Sequence, residues 1–169
     1  MIIFQEEFAK SGSRTILYQG KILHLAHRFP LTGASSIVQY KTVELNSPYE
    51  QGVSFDVERS GTIVHDGKQI PKGKLLRVWV NAATQFTLRV SSRDSFMWVY
   101  NHYVNWRGDV DHWNMGCAMY VEEIPGGFRY HCNDGDPDDD LNDLVFELTV
   151  IGVEEEPSSK RRTRKQSKS

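Results

Sequence analysis

Six aspartates stand close together near the C-terminal end, in the stretch CNDGDPDDDLNDLVFEL from Cys132 to Leu148: Asp134, Asp136, Asp138, Asp139, Asp140 and Asp143. Asn133 and Asn142 add amide oxygens. So many like charges repel one another and oppose folding unless a cation neutralises them. Asp134, Asp136 and Asp138 follow i, i+2, i+4 spacing, which lets a tight loop turn oxygens toward one point. Hard oxygen ligands on a flexible loop suit Ca²⁺, which takes six to eight of them at about 2.3–2.6 Å. The candidate ligands are Asp134, Asp136, Asp138, Asp140, Asn142 and Asp143. The loop is not an EF-hand: Asp139 stands where the invariant glycine belongs, Val145 stands where the bidentate glutamate belongs, and a strand follows instead of a helix. The bland alternative is a solvated acidic cap on a strand.

A second chemical cluster lies in FMWVYNHYVNWRGDVDHW, residues 96–113, which holds Trp98, Trp106 and Trp113, three of the four tryptophans. Aromatic faces stack on sugar rings and polar neighbours bind hydroxyls. Trp98 and Tyr100 fit strand alternation and read as core. Trp106 and Trp113 sit beside Gly108, Asp109 and Asp111 in an expected loop, which makes Trp106, Trp113, Tyr103, Arg107, Asp109 and Asp111 the candidate ligand contacts. Packing under a long loop is the competing role for both tryptophans. Asp109 and Asp111 would also complete the metal site if their loop met the acidic one.

The run from Asp138 to Glu147, DDDLNDLVFE, resembles the D-x-D-[FY]-N-D-L-V-[FV]-E ending of a group of bacterial, mostly extracellular β-sandwich domains of unknown function. The resemblance spans about ten residues. It implies a calcium-binding loop before the last strand, with Asp138, Asp140, Asn142 and Asp143 at the motif positions. Leu141 stands where those domains usually carry an aromatic. They usually carry signal peptides as well.

The elements that must position these residues are strands. Ser36 to Leu45, Val53 to Val57, Leu75 to Val80, Gln85 to Val90 and Leu144 to Val150 alternate with period two, not 3.6. Ile2 to Phe8, Thr15 to Tyr18, Lys21 to His27, Phe96 to Tyr100, Gly116 to Ile124 and Phe128 to Cys132 read as further strands. Asp66-Gly67 marks a tight hairpin, and Pro125-Gly126-Gly127 another turn. Residues 101–113 read as irregular. About eleven short strands with no convincing amphipathic helix predict an all-β, antiparallel β-sandwich of jelly-roll type. Its expected bounds are residues 1–153, followed by a disordered tail over 154–169, acidic and then basic.

Composition narrows the functions. The 169 residues carry a net charge of −2, but Lys160, Arg161, Arg162, Arg164, Lys165 and Lys168 put +6 in the last ten residues, which leaves −8 for residues 1–159. An acidic body is a poor general nucleic-acid binder. The Lys160–Lys168 run is a candidate polyanion contact, a nuclear-type address, a contact to the acidic body of another copy in a homo-oligomer, or a solvated end. No window is apolar enough to span a membrane. The N-terminus does not read as a signal peptide, since Glu6 and Glu7 interrupt its apolar run, so a cytoplasmic location or a non-classical export route is expected. Cys117 and Cys132 flank a possible hairpin and are either bridged across it or free and buried. His102, His112 and His131 match no metal-ligand spacing, and no nucleophile or phosphate-loop motif is present, so no enzyme is expected. The reading that results is a calcium-dependent binding module for glycans. Its alternative is a structural or assembly protein whose calcium only stabilises the sandwich.

Overall fold

The computed structural model describes residues 2–155. The basic run Lys160–Lys168 lies outside them. The chain begins with one helix, α1 (Phe4–Ser11). Fourteen strands follow: β1 (Thr15–Tyr18), β2 (Lys21–His24), β3 (His27–Pro30), β4 (Ser35–Leu45), β5 (Gln51–Asp56), β6 (Thr62–His65), β7 (Lys68–Gln69), β8 (Leu76–Val80), β9 (Gln85–Ser91), β10 (Phe96–Val104), β11 (Val110–Asp111), β12 (Ala118–Ile124), β13 (Gly127–Asn133) and β14 (Leu144–Glu154). They form an all-β sandwich of two antiparallel sheets. The larger has the order β1-β2-β12-β13-β14-β4-β9-β6-β7, and the smaller β11-β10-β5-β8, with β3 also pairing β10.

The period-two pattern pays out as alternate burial. Val38 and Tyr40 on β4, Leu88 and Val90 on β9, and Phe146 and Leu148 on β14 meet Val53 and Phe55 on β5 and Met97 and Val99 on β10 across the interior. Four aromatic rings run side by side across the larger sheet. Phe86 stacks on Tyr40 at 4.6 Å, Tyr40 on Phe146 at 5.2 Å, and Phe146 on Tyr130 at 4.6 Å. Such pairs contribute about 0.5–1.5 kcal/mol each beyond their buried area. Both buried hydroxyls are satisfied: Tyr40 Oη pairs with Thr42 Oγ1 at 3.0 Å, and Tyr130 Oη with His27 Nδ1 at 2.9 Å. The second contact ties β3 of one sheet to β13 of the other.

Three sequence expectations need correction. Residues 2–8 are not a strand. Phe4 and Phe8, one helical turn apart, both face inward, and Gly12 closes the helix in the left-handed conformation at φ 63°. With Leu23, Ala118 and Leu141 they build a satellite core. Residues 101–104 are not irregular, because β10 continues to Val104. Its outward residues Tyr100 and His102 are themselves buried, so the polar alternation that marks a half-exposed strand is missing. The last strand runs to Glu154, one residue beyond the expected boundary, where Arg89 pairs with Glu154 at 3.0 Å. The Asp66-Gly67 turn holds, both residues taking positive φ at 52° and 72° between β6 and β7. Cys117 and Cys132 are free and buried.

Burial, with His24 alongside, pushes the His27 imidazole down to about 4. Its folded value lies below the unfolded one of about 6.5, so the neutral ring's contribution is full above pH 6.5 and lost as pH falls through 4. The melting temperature should therefore drop across that window. His27→Gln should flatten the drop in a pH series of thermal melts, and an unchanged slope would refute the assignment.

Candidate functional site

The acidic loop joins β13 to β14 at one end of the sandwich, and a neutral amide side chain bridges its two limbs. Asn133, fully buried, donates from Nδ2 to the Asp138 carbonyl at 2.6 Å and accepts the Leu141 amide on Oδ1 at 2.7 Å. Its own carbonyl accepts from Asn101 Nδ2 at 2.9 Å. Leu141 takes a left-handed φ of 53° and buries its side chain in the satellite core under α1. The position that departs from the resemblance thus anchors the loop. Tyr18 Oη adds a bond to Asp139 Oδ2 at 2.8 Å.

This closure divides the aspartates. Asp138, Asp140 and Asp143 converge, each offering a carboxylate oxygen within 4.8 Å of the others. Asp138 and Asp140 are exposed, whereas Asp143 is buried and accepts the Asp134 amide on Oδ2 at 2.9 Å. Burial, then the nearby carboxylates of Asp134, Asp138 and Asp140, pushes the Asp143 carboxyl up to about 7. Burial and its acidic neighbours likewise raise Asp138. A hard cation is the group that this set of oxygens fits.

Asp134 does not join the three. Its carboxylate is fully buried and accepts from Ser47 Oγ at 2.5 Å, Gln51 Nε2 at 3.1 Å and the Asp136 amide at 2.9 Å, so its oxygens tie the loop to the β4–β5 connection. Asp136 also stays outside the three and lines a cleft. The Asn142 backbone is held beside the three, its amide donating to Asp140 Oδ1 at 3.3 Å and its carbonyl accepting from Asn46 Nδ2 at 3.0 Å. Regular i, i+2, i+4 spacing predicts one focus, but hydrogen bonding to the loop's own backbone splits the aspartates into two sets.

The cleft has a volume of about 580 Å³. Trp106 and Arg107 form one wall, Tyr49 and Tyr103 another, and Gly135, Asp136 and Pro137 of the acidic loop a third. Trp106 is 75% exposed, with the Arg107 guanidinium 4.7 Å from its ring centroid. The cleft's loop is rigid where it meets the acidic one: the Gly116 amide donates to the Gly135 carbonyl at 3.3 Å. A side chain at Gly135 would run into the Tyr103 ring. Helix α1 clamps the same loop, since the Gln5 amide donates to the Met115 carbonyl and Gln5 Oε1 accepts the Met115 amide, both at 2.9 Å.

The other expected contacts divide. Asp111 lines the cleft, but its carboxylate accepts from Asn105 Nδ2 at 2.7 Å and Asn114 Nδ2 at 2.8 Å. Asp109 is exposed outside the lining, where its backbone closes a turn with Asn105. Although the two loops meet, neither Asp109 nor Asp111 reaches the carboxylate group. Trp113 is not in the cleft. It packs half-buried against Tyr100 at 5.2 Å and His112 at 5.0 Å. Gln5, Tyr49 and Met115 line the cleft without any sequence signal, because only the fold brings positions so far apart together.

No protein-family model, curated protein or solved structure matches the chain. The site therefore stands on its own geometry.

The raised Asp143 value fixes a sign. A carboxyl raised above its unfolded value contributes stability below about pH 4 and loses that contribution as pH rises through about 7. At pH 8 in EDTA, Asp143→Asn should raise the melting temperature by a few degrees, since the amide can still accept the Asp134 amide without carrying charge. The gain should vanish near pH 4. A variant that melts lower than the parent at pH 8 would contradict this.

Proposed function

We propose that the protein is a calcium-dependent binding module that recognises glycans in the Trp106 cleft. One observation carries the reading: a single loop serves both surfaces. Asp138, Asp140 and Asp143 of that loop converge, and Gly135, Asp136 and Pro137 of the same loop form a cleft wall. Asp138, Asp140 and Asp143 would hold the ion, which when bound supplies the positive charge that offsets their repulsion. The residues of the chain do the rest. Asn133 and Leu141 fix the loop's path, so restraint on the carboxylate side reaches the cleft wall three residues away. A cleft ordered in advance loses less entropy on binding.

The cleft suits a sugar. Trp106 offers an exposed ring, and the Arg107 guanidinium and the Asp136 carboxylate offer donors and acceptors for hydroxyls beside it. The aromatic and the polar groups lie on loops carried by a rigid sandwich, as binding residues commonly do.

Thermal melting in EDTA, CaCl₂ and MgCl₂ tests the ion. Selective binding to the folded state raises the melting temperature with concentration. A rise with Ca²⁺ that exceeds the rise with Mg²⁺, lost in Asp138→Asn with Asp140→Asn, is expected, and identical melts in all three would refute it. A glycan array with and without EDTA, using the parent chain and Trp106→Ala, tests the ligand. Calcium-dependent binding that Trp106→Ala lowers about tenfold or more is expected. A calcium-stabilised protein that binds no glycan would leave the ion with a structural role alone.

A further inference from the structure

The outer face of the smaller sheet carries charge that nothing in the cleft uses. Strand register places its outward residues in rows. Arg28 on β3, Trp98 on β10 and Asp56 on β5 form one row, and Tyr100, Ser54 and Arg77 the next. Their chain neighbours Phe29, Met97, Val99, Val53 and Phe55 point into the core. Two guanidiniums flank the Trp98 ring, that of Arg14 at 4.7 Å from its centroid and that of Arg28 at 5.1 Å. Arg28 also lies 4.8 Å from the Phe96 centroid, and Arg14 5.9 Å from that of Trp113. The result is a strip in which aromatic and guanidinium groups alternate.

These arginines form no ion pair among the described residues. Among the described residues the ion pairs are Lys10–Glu7, Arg89–Glu154, Arg129–Glu147 and His131–Glu122, and Arg14, Arg28 and Arg77 take part in none. All three are exposed. A guanidinium held over a ring is fixed in place while its in-plane N–H groups stay free, and their fork matches a carboxylate with two parallel bonds. Most lysines and arginines among the described residues form no ion pair, and what sets Arg14 and Arg28 apart is that one ring, Trp98, holds both guanidiniums together. Two guanidiniums held on one ring concentrate positive charge locally on a body that carries −8 over residues 1–159, and such a site suits an anion with repeated charges.

We propose that this strip binds a linear acidic polysaccharide whose sugars bear carboxylates. The guanidiniums of Arg14 and Arg28 would pair with the carboxylates. Asp56, in the same row as Arg28 and Trp98, decides between polyanions. Its carboxylate accepts hydrogen bonds from sugar hydroxyls, which a uronate polymer presents on every ring, but repels the phosphates of a nucleic acid. The aromatic rings point the same way, because Trp98 already carries guanidiniums where stacked bases need open ring faces. The proposal does not depend on calcium or on the Trp106 cleft.

The test is titration of the full chain with polygalacturonate, followed by tryptophan fluorescence at low salt. EDTA is present throughout, so that calcium bridging is excluded. Binding that weakens as NaCl is raised is expected. Arg14→Ala with Arg28→Ala should weaken it about tenfold or more, and Arg14→Lys with Arg28→Lys should restore part of it. Lys21→Ala with Lys68→Ala, which removes two charges from the larger sheet, should change it little. Both arginines are exposed, and melts of each variant check that the fold is kept. Three results would overturn the proposal: no binding at low salt; equal binding by the parent and the Arg14→Ala, Arg28→Ala chain, which would assign the polymer to Lys160–Lys168; or tighter binding of a single-stranded oligonucleotide than of polygalacturonate.

Discussion

The acidic loop depends on Asn133. An amide side chain at the end of β13 grips both limbs of the loop, donating to the Asp138 carbonyl and accepting the Leu141 amide. This clamp itself carries no charge. That matters because a loop of six aspartates cannot hold itself closed by its carboxylates, which repel at every separation. A neutral clamp that is fully buried loses no bonds to water once made, and leaving either of its partners unpaired would cost about 1–3 kcal/mol. With the path fixed, the aspartates sort by position. Asp134 spends its oxygens on Ser47, Gln51 and the Asp136 amide, whereas Asp138, Asp140 and Asp143 keep oxygens facing one another.

The clamp in turn needs a platform. Asn133 and Asp143 flank strands whose neighbours, Cys132, Leu144 and Phe146, are fully buried, so the loop rises from the packed core of the larger sheet. The row of stacked rings from Phe86 to Tyr130 sets the spacing there. Helix α1 completes the end of the sandwich: Phe4 and Phe8 seat Leu141, and Gln5 clamps Met115. One short helix thus braces the acidic loop and the cleft loop together, through a cluster separate from the larger core.

Much of this was legible in the sequence, and the gaps have physical causes. Strands β4, β5, β9 and β14 alternate because one side meets the core and the other meets water, which is the condition under which period two can be read. Strand β10 breaks that condition beyond Tyr100, since His102 is buried on the outward side beneath Trp79. Helix α1 is too short for a helical period to stand out from an apolar start. The aspartates announced their chemistry by type, and three of the expected ligands do converge, yet residue type says nothing about which oxygens the backbone will claim. Trp106 and Trp113 show the same limit. They sit seven residues apart in one polar stretch, but Trp113 adopts a left-handed φ of 59° that turns it onto Tyr100, while Trp106 stays outside.

The loop over residues 105–116 explains why two chemically different surfaces coexist. Its Asn105, Asn114 and Met115 face the cleft, and between them His112 and Trp113 lie on the smaller sheet beside Tyr100 and Arg14. The acidic end and the arginine strip are thus held to opposite sides of one segment and do not form ion pairs with each other among the described residues. At physiological ionic strength fields fade over about 8 Å, so each surface presents its own charge to a ligand and not the sum of the two. Net charge alone would have classed the body as repelling every anion. Segregated charge lets one small sandwich offer a carboxylate cluster at its end and guanidiniums on its face, because the residues that would cancel them are kept out of reach by the fold.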